Sequence, residues 1–241
     1  MSYTLQQSVN YALTYIQYSP LAVGTGNEPA ISIANEIQYM ITSAPFTWPW
    51  NRYETIGISL VAGTQTYTVT STDFSFMEKA TLISAADGSV YEILDVYNNE
   101  SLGLTSSNTN SLGQPNSCAV FLINYGSNFQ VRFMGAPDQG YNAIFTYQRL
   151  VTPFAALTDS WQIPDQYRDI YNNLFLGEAM AVVDDARSVQ YRQRGVAALL
   201  SKQQGLSAMQ KDAFLEQYWA RDSQMQARQL KTQQGSISRG V

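Results

Sequence analysis

The sequence predicts an α+β fold: a helical bundle formed by both chain ends, with an antiparallel β-sandwich or barrel-like domain inserted between them. Three observations point to it. Apolar residues recur at helical spacing before residue 44 and again after Pro153. Between them the period falls to two, and glycines stand between the alternating runs. The two regimes meet at Ala44-Pro45-Phe46-Thr47-Trp48-Pro49-Trp50-Asn51-Arg52, where two prolines stand among three large aromatics. The implied organisation is 1–50 for the N-terminal helices, 51–152 for the β domain, 153–228 for the C-terminal helices and 229–241 for an extended tail.

Residues 4–18 carry Leu5, Val9, Leu13 and Ile16 at helical spacing, with Thr4 placed as the N-cap. Pro20 and the loop Gly24-Thr25-Gly26-Asn27 break that pattern; with no strand before it and no third glycine after it, the loop does not read as a phosphate cradle. A second helix carries Ile33, Ile37 and Met40 on one face and closes at Pro45. Prolines push their predecessors out of the helical region, so the segment that follows runs extended. Phe46, Trp48 and Trp50 then point to one side. They read as core at a domain junction, with a ligand-binding aromatic strip as the alternative. On the first reading, Trp50→Ala costs about 3–5 kcal/mol.

From Arg52 onward Ile56, Ile58 and Leu60 alternate with polar residues, and Ala62-Gly63 turns the chain into Thr64–Thr70, which reads as a hairpin. A second hairpin crosses Asp87-Gly88, joining Lys79–Ala85 to Val90–Tyr97. A third crosses Gly126-Ser127, joining Cys118–Tyr125 to Asn128–Met134, and Tyr141–Arg149 supplies a last strand. Between the second and third hairpins, Ser101–Ser117 is rich in Ser, Asn, Thr and Gly and cannot bury a core. It is expected to be a long exposed loop, with Ser101, Asn108, Asn110 and Gln114 as candidates to face a tail component or a neighbouring subunit.

After Pro153 the helical period returns. Ile163-Pro164-Asp165 starts a helix with Tyr167, Ile170, Tyr171, Leu174, Phe175 and Ala181 over a broad apolar arc, which implies neighbours on more than one side. Asp184-Asp185 marks a turn, and Val189, Val196, Leu199 and Leu200 form the next helical face, ended by Gly205. Ser207-x-x-Gln210 is a capping-box pattern opening a further helix with Phe214, Tyr218 and Met225. Residues 228–241 are mostly polar and build no core.

Composition narrows the function. Of 241 residues, 45% are hydrophobic and only 14% charged, while 16 are tyrosine. Tyrosine is enriched at protein interfaces, so the balance leans toward an assembled protein. The net charge of −5 is divided unevenly: residues 1–159 hold 11 acidic and 4 basic side chains, and residues 186–241 hold 9 basic and 3 acidic ones. A basic C-terminal arm on an acidic body suggests docking onto an acidic surface or a nucleic acid, or else a solvated helix face. The single cysteine, Cys118, lies in an apolar run and excludes an intramolecular disulfide. No run reaches membrane-spanning length and no leader pattern opens the chain, so a reducing, cytosolic origin is expected.

Histidine is absent, which removes the commonest general base, the Ser–His and Cys–His dyads and most zinc sites. A carboxylate pair remains as a route to hydrolysis, yet Asp184 and Asp185 are adjacent and do not share a helical face. Neither an enzyme nor a cofactor or metal site is expected.

The order of these features resembles the head-to-tail connector, or adaptor, proteins of tailed bacteriophages. The likeness rests on Phe46–Trp50, on Leu60-Val-Ala-Gly-Thr-Gln-Thr-Tyr67-Thr-Val69, on Gly113-Gln114-Pro115, on Tyr141–Arg149 and on Ile163-Pro164-Asp165-Gln166-Tyr167. It implies a non-enzymatic ring, commonly dodecameric, between the portal and a lower neck or tail protein, assembled in the host cytoplasm and located in the virion neck. It further implies portal contact through the C-terminal arm, with Arg228, Gln229, Leu230, Lys231, Ile237, Arg239 and Val241 as contact residues. Packaged DNA would pass through unbound, since an acidic body is a poor surface for phosphate; no membrane contact is implied. A neck stopper or tail-tube component is the alternative among virion proteins. A glycan-binding β-sandwich module, with Trp48, Trp50 and the tyrosines as stacking platforms, is the alternative from another class.

Overall fold

The computed structural model describes residues 3–16, 28–97, 112–124 and 128–220. The chain divides into two compact units, Met1–Leu199 and Leu200–Val241. Among the described residues it is a mixed α/β protein with five α-helices and largely antiparallel sheets, none of which closes into a barrel.

Helix α1 (Leu5–Leu13) opens on a capping box: Thr4 Oγ1 accepts from the Gln7 N–H while Gln7 Oε1 accepts from the Thr4 N–H. Its buried line is Leu5, Ser8, Val9 and Ala12, with Ile16 just beyond, whereas Leu13 is 39% exposed. Helix α2 (Ala30–Thr42) buries Ala30, Ala34, Ile37 and Ile41, so the inward line is rotated from the one expected, and Ile33 and Met40 are only half-buried. Small alanines hold the inward positions, and period-counting of large side chains alone misplaced the face. Helix α3 (Arg168–Val182) follows a short 3-10 turn at Asp165–Tyr167, and α4 spans Ser188–Lys202. The broad apolar arc of α3 is covered by α1, α2 and α4. Gly177 and Gly195 make the α3–α4 contact possible: a Cβ at Gly177 would lie 2.8 Å from the Arg192 backbone nitrogen, and one at Gly195 would lie 3.0 Å from that of Leu174. Residues 208–220 form the fifth helix, α5, within the second unit, opened by the expected box between Ser207 and Gln210.

Among the described residues eleven strands follow in chain order: β1 (Arg52–Glu54), β2 (Ile58–Leu60), β3 (Thr66–Thr70), β4 (Phe74–Ser84), β5 (Val90–Glu92), β6 (Asp95–Tyr97), β7 (Leu112–Gly113), β8 (Ser117–Asn124), β9 (Asn128–Phe133), β10 (Ala136–Pro137) and β11 (Tyr141–Arg149). One sheet has the order β1-β11-β4-β5 with β2 also on β11, and another the order β3-β9-β8-β6. Their inward residues, among them Leu82, Phe129, Phe133 and Phe145, belong to one apolar core. The pairings of β4 with β5 and of β8 with β9 agree with the hairpins read across Gly88 and Gly126, although residues 125–127 themselves lie outside the described set.

Three expectations are corrected here. The runs around Ile58 and Thr66–Thr70 do not pair with each other: β2 pairs with β11 and β3 with β9, so the turn at Gly63 carries the chain from one sheet to the other. Ile56 is 88% exposed and lies outside β2 rather than on its inward line. Two pairings, β6 with β8 and β10 with β7, are parallel. Alternation states which side of a strand is apolar but not which sheet it joins.

Strand β4 also starts earlier than expected, at Phe74. Its register with β11 skips Glu78 and Ser75, two bulges that space the inward residues Phe74, Met77 and Ala80 three apart. The expected loop is shorter at its C-terminal end, because Leu112–Gly113 pairs with β10 and Ser117 is already a buried strand residue.

Candidate functional site

The aromatic junction is built from α2, β4, β11 and the turn before α3. Pro49–Asn51 forms a 3-10 turn, which ends the extended run at Trp48. Phe46 and Trp48 are 1% and 2% exposed, whereas Trp50 is half-buried. The Trp48 Nε1–H donates to the Ile41 carbonyl at 2.7 Å, satisfying an acceptor in the last turn of α2. Its ring lies 4.9 Å from that of Tyr167 and 6.0 Å from that of Trp50. The Trp48 carbonyl in turn accepts from Gln148 Nε2 at 3.1 Å, and Asn51 Nδ2 donates to the Arg149 carbonyl at 2.8 Å.

A polar node sits beside these rings. Gln148, fully buried on β11, also donates to Glu78, whose carboxylate accepts from Arg52 at 2.6 Å. The bulge at Glu78 gives that side chain its aim. Trp50 Nε1 and Gln148 Oε1 are buried there without a hydrogen-bond partner. None of the node was read from the sequence, because Gln148 and Glu78 look like ordinary strand residues; only the interruption of the period around Glu78 signals it.

A second polar relay ties the N-terminal helices to the returning chain. Trp161 Nε1–H donates to Ser8 Oγ at 2.9 Å, the Ser8 hydroxyl donates to Asn172 Oδ1 at 3.1 Å, and Asn172 Nδ2 donates to the Tyr3 hydroxyl at 3.3 Å. Trp161 stacks on Tyr171 with centroids 4.5 Å apart. Burial pushes the Tyr171 phenol up to about 12, so it stays neutral. Gln38 on α2 donates to the Thr152 carbonyl at 2.9 Å and accepts from the Gln162 N–H at 3.3 Å. Ser8 was detectable as a polar residue in an inward helical position; Gln38 and Asn172 gave no such sign.

This arrangement is structural chemistry. The Cys118 thiol is buried, and desolvation pushes it up to about 12, far from a reactive thiolate. Asp159 accepts from the Ala155 and Ala156 N–H groups, both at 2.8 Å, and Asp185 binds Arg187; each carboxyl is held below its ordinary value by those hydrogen bonds. Among the described residues no cluster of metal ligands is found, and no helix is long and apolar enough to cross a membrane.

Of the loop candidates, Gln114 is exposed, while Ser101, Asn108 and Asn110 lie outside the described residues. All the arm residues, Arg228, Gln229, Leu230, Lys231, Ile237, Arg239 and Val241, lie outside them too. Trp48 is 2% exposed, so its ring offers no open face of the kind a glycan platform needs.

Compared with known families, residues 4–228 match the model described as SU10 adaptor protein, a phage head-to-tail adaptor family. No curated protein matches the chain.

Proposed function

We propose that this chain, which belongs to the SU10 adaptor protein family and is a structural protein of the bacteriophage virion, forms a ring beneath the portal that links capsid to tail and surrounds the DNA conduit. The carrying observation is the family match, which spans nearly the whole chain and not one motif. An adaptor engages portal and tail proteins at the virion neck. The finer reading is ours. Twelve copies assemble in the host cytoplasm through a heterologous contact, in which one patch on each copy meets a different patch on the next. Residues 1–50 and 153–228 form the helical domain that faces the portal, residues 51–152 the inserted β domain, and residues 229–241 the tail that docks on the portal, with Leu230 and Ile237 as apolar anchors. The acidic excess of residues 1–159 lets packaged DNA slide past without being held.

The test is a mixture of the full chain with its portal, imaged by electron microscopy and weighed by native mass spectrometry, alongside a chain lacking residues 229–241. A ring on the portal that is lost with the tail, while the truncated chain keeps its circular dichroism and melting, is the expected outcome. Normal portal attachment by the truncated chain refutes the tail assignment. A chain that stays monomeric beside the portal refutes the ring.

A further inference from the structure

The chain passes between helices and strands twice, outward through residues 46–52 and back through residues 150–164. Two regions joined only by connecting segments ordinarily move against each other. Here α1 to α3, the strands and most of α4 fall in one compact unit, which ends at Leu199 and is not divided at either crossing. Apolar packing around Trp48 keeps the regions together, yet such contact is non-directional and does not by itself fix an angle. Hydrogen bonds do.

The returning segment carries them. It is neither helix nor strand, apart from the single bridge of Ser160 to Thr4. On one side α2 takes the place of a pairing strand. Asn35 Oδ1 accepts from the Phe154 N–H at 2.7 Å, and Asn35 Nδ2 donates to the Phe154 carbonyl at 3.2 Å. Three residues on, Gln38 Nε2 donates to the Thr152 carbonyl at 2.9 Å, and Gln38 Oε1 accepts from the Gln162 N–H at 3.3 Å. A neutral amide offers both a donor and an acceptor, so each side chain grips backbone as a neighbouring strand would. On the other side the segment closes on α1. The Leu5 and Gln6 N–H groups stand in the first helical turn, where no helical carbonyl reaches them; they donate to the Asp159 and Leu157 carbonyls at 2.9 and 2.8 Å. The Trp161 N–H donates to the Tyr3 carbonyl at 2.9 Å.

We infer that Asn35 and Gln38 are the catch of a conformational lock: by holding the backbone of residues 152–162 against α1 and α2 they keep the helices and the strands in one orientation, and without them the two regions hinge about the crossings. A displacement received by the helices is then carried to the strands undamped. The lock is independent of the ring reading, since every bond in it lies within one copy of the chain.

The experiment places spin labels on two exposed positions of the full chain, Thr68→Cys in β3 and Gln190→Cys in α4. Cys118 is buried and takes no label. Excess unlabelled chain removes distances between copies, and pulsed electron paramagnetic resonance reads the rest. The otherwise wild-type chain gives a single narrow distance. Asn35→Ala and Gln38→Ala, made separately, each widen or split it. Each also speeds hydrogen exchange at Leu5, Gln6 and Trp161, which neither side chain touches, by about ten-fold, while α3 and β9 exchange as before. Gly177→Ala is the control, because its Cβ would meet the Arg192 backbone nitrogen at 2.8 Å and disturb the α3–α4 contact instead. It keeps the narrow distance. A narrow distance in both amide variants overturns the lock, as does a broad one in the wild-type chain. Equal widening in all three variants also overturns it, since hinging then follows any loss of stability.

Discussion

Removing the Trp48 side chain separates a structural junction from an exposed aromatic strip. Trp48 is 2% exposed and its Nε1–H holds the Ile41 carbonyl at 2.7 Å. Truncating a buried tryptophan costs about 3–5 kcal/mol from lost transfer and residual cavity. Losing the donor adds about 1 kcal/mol, at the low end because the vacated space admits water to that carbonyl. Trp48→Ala is therefore expected to destabilise by about 4–6 kcal/mol. Trp50 is half-buried, and its Nε1 has no acceptor to lose. Trp50→Ala should cost only about 1–2 kcal/mol, less than the neighbouring prolines and aromatics suggest on their own. Trp48→Phe keeps most of the ring packing and gives up the hydrogen bond, for about 1–3 kcal/mol. Urea titrations followed by far-ultraviolet circular dichroism measure all three without relying on tryptophan emission. A Trp48→Ala midpoint within about 1 kcal/mol of Trp50→Ala would refute the junction argument.

Three further outcomes follow from the packing and the hydrogen bonds. Gly177→Ala should destabilise by about 1–3 kcal/mol despite the better helix propensity of alanine, because its Cβ would meet the α4 backbone at 2.8 Å; a more stable variant in thermal melts contradicts that close approach. Cys118 should resist a thiol reagent in the folded chain and react fully in denaturant, since burial removes both access and the thiolate; rapid labelling of native protein contradicts it. Asp159 and Asp185 are held below their ordinary value of 3.8, so their contribution is complete above that value and is lost as pH falls through the lower folded one. Urea midpoints should therefore fall below about pH 4, and Asp159→Asn should flatten that fall; an unchanged slope rules out Asp159 as a source of it.

Features set by neighbours a few residues away were legible. Thr4 and Ser207 cap helices because a cap reaches only to its third helical residue, and β11 keeps its expected bounds because alternation runs unbroken through it. The aromatic segment was recognisable as a stop between two regimes because prolines restrict their own and preceding dihedrals. Where bulges reset the period, as at Glu78 and Ser75, the same reasoning lost residues 74–78 of β4. Where alanine or glycine fills an inward position, as in α2 and at the α3–α4 contact, it misjudged the face or missed the contact.

The sequence by itself determined the helix–strand–helix order, the caps, the turn positions, the family likeness and the split of charge between body and arm. Tertiary structure alone decided that β2 and β3 belong to different sheets, that Trp48 is sealed while Trp50 is not, and that Gln148 is a buried link. The physical reason is range. Local sterics fix a residue's dihedrals and which side is apolar, but the group that covers that side arrives from far along the chain, as Gln148 reaches the Trp48 carbonyl across 100 residues.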